Sequence, residues 1–69
     1  MAVTVDDILQ IKAGRKVDFV CSEPLEAKSG QSLVGYVKKY RFNDMPRNVV
    51  GYKTSIVGST LTVEALEEN

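Results

Sequence analysis

A Gly-Ser pair at residues 58 and 59, set between two alternating runs, constrains this chain more than any other feature. Gly58 suits the first central position of a two-residue II′ turn, which needs a positive φ. Counting outward from the turn sets Ile56 opposite Leu61, Thr54 opposite Val63 and Tyr52 opposite Ala65 on one face. The other face sets Val57 opposite Thr60, Ser55 opposite Thr62 and Lys53 opposite Glu64. That face is the more polar and carries an opposite-charge cross-strand pair, as a half-buried hairpin should. A one-residue slip would exchange the two faces. The last third of the chain is therefore a hairpin whose apolar side must be covered by something else.

The N-terminus supplies one candidate cover. Thr4 is a good N-cap, Asp7 follows three residues later as in a capping box, and Val3 and Ile8 occupy the hydrophobic-staple positions. Val5, Ile8 and Leu9 share a stripe, and Gly14 stands where a left-handed C-terminal residue would fit, so the pattern predicts a helix over about residues 5–12. Such a helix is too short to stand alone in water and has to dock on a sheet.

Two further strands are expected. Lys16 to Ser22 alternates, with Val17, Phe19 and Cys21 on one face, and Glu23-Pro24 interrupts it. Leu25 to Lys28 extends that strand after a bend, and Ser29-Gly30 reads as a turn. Ser32 to Phe42 is the longest β-like run, setting Val34, Tyr36, Lys38, Tyr40 and Phe42 against Leu33, Gly35, Val37, Lys39 and Arg41, with a bulge or an exposed end near Lys38-Lys39. Asn43 to Asn48, containing Met45-Pro46, reads as a loop. The expected fold is α+β: a short N-terminal helix packed on an antiparallel sheet of three to five strands, flat or curled into a partly open barrel. Its core should come from Val3, Ile8, Leu9, Val17, Phe19, Cys21, Val34, Tyr36, Ile56, Leu61 and Val63. One small domain over residues 1–69 is expected, with a frayed end at 67–69.

Length and composition narrow the function. A 69-residue chain has a thin core. With one cysteine and no histidine, it has neither an internal disulfide nor an imidazole for Ser-His-Asp or Cys-His chemistry. Zinc would lack ligands, and no apolar run is long enough for a membrane span. A lone cysteine and the absence of a basic-plus-apolar leader fit a reducing compartment, so a cytoplasmic location is expected. Asp6-Asp7 is explained by helix capping rather than cation binding. Asp18 followed by Glu26-Ala27-Lys28 has the acid, acid-x-Lys order of a large nuclease superfamily, but without the larger core such enzymes need. Gly14-Arg15-Lys16 and Ser29-Gly30-Gln31-Ser32 look like fragments of phosphate loops, yet neither opens a helix after a strand. A non-enzymatic protein without cofactor is therefore expected.

Charge gives the remaining lead. The net charge is zero, but Lys28 to Lys53 holds six bases against the single acid Asp44, while the segments on either side are acidic. Within that stretch, Tyr36-Val37-Lys38-Lys39-Tyr40-Arg41-Phe42 interleaves cations and rings, the two ingredients of surfaces that bind single-stranded nucleic acid. With Lys53 facing Glu64 and Lys28 at a turn, the patch contracts to Lys38, Lys39, Tyr40, Arg41 and Arg47. The leading expectation is nucleic-acid binding through that strand and the loop to Arg47. The alternative is a small regulatory or inhibitory protein that binds an acidic protein partner or self-associates. In size and composition alone the chain resembles small regulatory proteins of bacteria, phages and mobile elements, an analogy that assigns no residues. The bland reading is a solvated strand edge, since lysines on an edge blunt aggregation.

Overall fold

Residues 3–68 are described by the computed structural model of the chain. In chain order the elements are α1 (Val5–Leu9), β1 (Lys16–Val20), α2 (Pro24–Tyr40), a 3-10 turn (Phe42–Asp44), β2 (Val49–Val57) and β3 (Thr60–Glu67). The three strands form one open antiparallel sheet in the order β1-β3-β2. β1 and β2 thus run parallel with β3 inserted between them, a split β-α-β arrangement in which α2 is the crossover. The fold is α+β with helix on an antiparallel sheet, as expected, and the sheet stays open rather than curling into a barrel.

The hairpin is formed as the turn chemistry requires. Gly58 has φ 61, Ser59 is not among the positive-φ residues, and every cross-strand pair counted from the turn is present, from Val57↔Thr60 to Tyr52↔Ala65. A bulge at Val50 breaks the register near the far end. At the N-terminus the capping box is complete: the Asp7 backbone N–H donates to Thr4 Oγ1 at 3.2 Å, and the Thr4 N–H donates to Asp7 Oδ2 at 2.9 Å. α1 is shorter than expected, ending at Leu9 with Gln10 as its C-cap, and the Ile11 N–H closes the end by donating to the Ile8 carbonyl three residues back. Gly14, at φ 80, belongs instead to the turn into β1, where its N–H donates to the Ala65 carbonyl.

The principal correction concerns residues 24–40. They form a 17-residue helix, not a strand extension, a turn and a long strand. Pro24 stands in the first turn, where its missing N–H costs nothing. Glu26 turns back to accept from the Ser22 N–H at 2.7 Å and also from the Ser22 hydroxyl. These bonds hold the Glu26 carboxyl below the usual carboxylate range. Ala27, Gly30, Val34 and Val37 are buried, a spacing of three, four and three that is helical and not alternating. Gly30 sits mid-helix at the closest approach to the sheet: a Cβ there would lie 2.7 Å from Leu61 Cδ2 and 3.3 Å from Val3 Cβ.

The core lies between α2 and the sheet face bearing Leu61, Val63 and Ala65, with Ile8 and Ile11 from the N-terminal segment closing it. Of the expected core, Ile8, Cys21, Val34, Leu61 and Val63 are buried, and Val3, Leu9, Phe19 and Ile56 pack against them. Val17 is partly exposed at 36%, and Tyr36 is at the surface at 48%; the helical turn carries its ring off the buried stripe. Ala27, Val37, Tyr52 and Ala65 take core places not expected for them. Glu67 closes β3, and the Glu68 N–H donates to the Asn48 carbonyl at 2.8 Å, which ties down part of the tail expected to fray. Asn69 lies outside the described residues. No helix among the described residues is long and apolar enough to cross a membrane.

Candidate binding surface

Helical spacing decides where the rings go. Tyr36 and Tyr40 are four residues apart, so they stand on one flank of α2. Their ring centroids are 5.0 Å apart and the planes are tilted by 43°. Lys39 Nζ lies 5.3 Å from the Tyr40 ring centroid, within cation-π reach. Phe42 follows in the 3-10 turn, and all three rings are exposed, Tyr40 and Phe42 by about three-fifths of their surface. Exposure separates these rings from Phe19 and Tyr52, the other two aromatics, which belong to the core or its margin.

The expected site residues Lys38, Lys39, Tyr40, Arg41 and Arg47 thus lie on a helix end and its following loops, not on a strand. Lys38 and Lys39 occupy the last turn of α2, where cations complement the negative end of the helix dipole. Arg41 is the C-cap residue; its N–H donates to the Val37 carbonyl and its Nε donates to Asp44 Oδ2 at 2.7 Å. The Asp44 carboxylate pushes the Arg41 pKa further above its ordinary value and offsets its charge. Arg47 is exposed in the loop before β2, next to Asn48, whose φ of 69 turns the chain into the strand. Tyr40 is brought against both Tyr36 and Lys39. Lys38 and Arg47 make no ion pair among the described residues.

The uncovered face of the sheet is the second polar surface. Lys16 and Lys53 flank Glu64 in one cross-strand row, and Asp18, Thr62 and Ser55 form the next. Thr62 Oγ1 donates to Asp18 Oδ1 at 2.7 Å. A shallow groove of about 220 Å³ is lined by Lys16, Lys53, Thr54, Ser55, Thr62 and Glu64. Lys53 stands opposite Glu64 as expected, but the two form no ion pair; among the described residues Arg41–Asp44 is the one salt bridge. Lys16 was legible as part of this row only once β1 is paired with β3, a long-range pairing that the hairpin arithmetic does not reach.

The two catalytic-looking groupings separate. Asp18 bonds Thr62 on the open face of the sheet, whereas Glu26 bonds Ser22 at the start of α2 and Ala27 is buried in the core. Cys21 is buried, with its Sγ 3.9 Å from the Phe19 carbonyl. Tyr52 is buried with its hydroxyl unpartnered among the described residues, and burial pushes its pKa up. The chain matches no protein-family model, and neither the curated proteins nor the solved structures give a match.

Proposed function

We propose that this chain is a non-enzymatic module that binds single-stranded nucleic acid through the exposed end of α2 and the loop to Arg47. The observation that carries the reading is the exposure of Tyr36, Tyr40 and Phe42 together. A thin core gains from burying rings, yet three of the five aromatics of the chain are in solvent at one end of one helix. Tyr40 offers a face on which a base stacks, while Lys38, Lys39 and Arg47 supply cations for phosphates. The affinity is then strongly salt-dependent. Glu67 and Glu68 border this surface beside Arg47, where the Glu68 N–H meets the Asn48 carbonyl, and weaken phosphate contact on that side. Titration of labelled single- and double-stranded oligonucleotides at two salt concentrations tests it: absence of binding at low salt eliminates the reading.

A specific observation favours a second reading. Asp44 offsets the charge of Arg41, which leaves the exposed rings rather than net charge as the main feature of this end of the helix. Exposed tyrosines beside arginine are also the composition of protein-interface hot spots. The chain would then be a small regulatory protein whose α2 end docks on an acidic protein partner. A protein retained from lysate by the wild type and lost by Tyr36→Ala/Tyr40→Ala, with oligonucleotides unbound, selects this reading over the first.

A further inference from the structure

The outer edge of β1 is left open, and its charges are arranged to meet their own copy. The hairpin turn makes Val57 and Thr60 a hydrogen-bonded pair, so Leu61, Val63 and Ala65 direct their backbone groups toward β1. The bonds from Ala65 N–H to the Arg15 carbonyl and from Gly14 N–H to the Ala65 carbonyl, both 2.9 Å, and from Cys21 N–H to the Ser59 carbonyl, 2.8 Å, agree with that phase. The odd-numbered residues of β1 therefore face β3. Lys16, Asp18 and Val20 present their backbone N–H and C=O groups outward, and no backbone group among the described residues meets them. Val20 is 73% exposed and Val17 lies at the same margin. An open edge of this kind is a template for another strand.

We propose that a second copy of this chain pairs with that edge, β1 antiparallel to β1, in the register centred on Val17. A ladder between two such edges needs outward groups on both strands, so the two-fold axis must pass between the two copies of a single residue. Centring on Val17 sets Lys16 directly opposite Asp18 of the second copy, twice by symmetry, with Val17 against its own copy. Centring on Asp18 would set that carboxylate opposite itself, and centring on Phe19 would match neither charge. Opposite charges directly across a ladder stabilise it and like charges oppose it. The outer edge of β2 offers no such match: Lys53 is its one charged residue, the bulge at Val50 interrupts it, and Gln31 Nε2 on α2 donates to Thr54 Oγ1 at 3.1 Å across it. The dimer is isologous, its sheet six strands in the order β2-β3-β1-β1-β3-β2, with both α2 helices on one side. Five residues per strand keep the contact small, so association is weak and depends on concentration.

The test is a charge exchange followed by analytical ultracentrifugation up to about 1 mM protein, the weak end of measurable association. The wild type shifts from monomer to dimer with concentration. Lys16→Asp and Asp18→Lys each weaken self-association by about tenfold or more, because each sets like charges opposite. Mixing the two variants restores a dimer, since position 16 of each chain then faces an opposite charge at position 18 of the other. A wild type that is monomeric throughout overturns the proposal. So does a dimer that ignores both reversals, or a mixture that fails to associate. If Asp18→Lys disturbs the fold through Thr62, amide exchange of the wild type decides: the Lys16 and Asp18 amides become protected by about tenfold as concentration rises. Exchange at those amides that is independent of concentration overturns the pairing equally.

Discussion

The two ends of α2 meet different surroundings with opposite choices of residue. Where the helix lies on the sheet, it uses Ala27, Gly30 and Val34, all buried, and at Gly30 it gives up even a Cβ so that Leu61 can pack beneath it. Along its last turns Val37 alone stays in the core, and the flanking Tyr36 and Tyr40, with Phe42 following, are all exposed. Stability alone would favour the reverse, with large rings inside a thin core and small residues outside. The buried stripe of α2 is shaped by the fold, while the rings on its outer flank take no part in the core, as the proposed binding surface requires.

Substitutions can break that contrast. The largest effect is expected at Leu61, fully buried under Gly30: Leu61→Ala should cost about 3 kcal/mol and lower Tm by more than about 10 °C in thermal denaturation followed by circular dichroism. Gly30→Ala should cost about 1 kcal/mol on its own, because the clash with Leu61 outweighs the gain in helix propensity. In the Leu61→Ala background the same change should become neutral or stabilising. Additive costs in that double-mutant cycle would mean that the close approach does not govern the site.

Tyr52 sharpens the contrast between buried and exposed tyrosines. Burial raises its pKa, so the folded form holds the phenol neutral while the unfolded chain ionises near its ordinary value of about 10. Its contribution is fully present below that value and is lost as pH rises through and beyond it. Tyr52→Phe removes an unpartnered buried hydroxyl, so it should leave stability at neutral pH unchanged or slightly higher and flatten the loss above about pH 10. Denaturation series across that range measure it. The smallest effects belong to the outer end: Tyr36→Ala and Tyr40→Ala should each change stability by no more than about 0.5 kcal/mol. A larger loss would move those rings into the structural half of the helix.

Local chemistry explains which parts were legible in the sequence. The Gly58-Ser59 turn dictates its register through one positive φ, and Thr4 with Asp7 makes a capping box within four residues, so both could be read without knowing the rest. α2 could not be read the same way. Its stretch from Val34 to Phe42 sets Val34, Tyr36, Tyr40 and Phe42 at alternate positions as a strand does, with Lys38 the one break, and Ser29, Gly30, Ser32 and Gly35 are poor helix formers. Inside the helix the hydroxyls of Ser29 and Ser32 bond back to the carbonyls of Leu25 and Lys28, and packing against the sheet overrides propensity. Pro24 in the first turn and the three-four-three spacing of Ala27, Gly30, Val34 and Val37 were the available signals. Of the site, the residue types were legible and their neighbours were not: Lys39 reaches Tyr40 and Tyr40 reaches Tyr36 only on a helix.

The central claim is that the outer end of α2 is a contact surface which the fold itself does not need. Fluorescence anisotropy with a single-stranded oligonucleotide at low salt, on the wild type and on Tyr36→Ala/Tyr40→Ala, tests it most directly. The wild type should bind with an affinity that weakens with salt, and the variant should lose about tenfold or more, corresponding to at least one lost base stack, with Tm lowered by no more than about 5 °C. No binding by the wild type, or equal binding by both proteins, would contradict it.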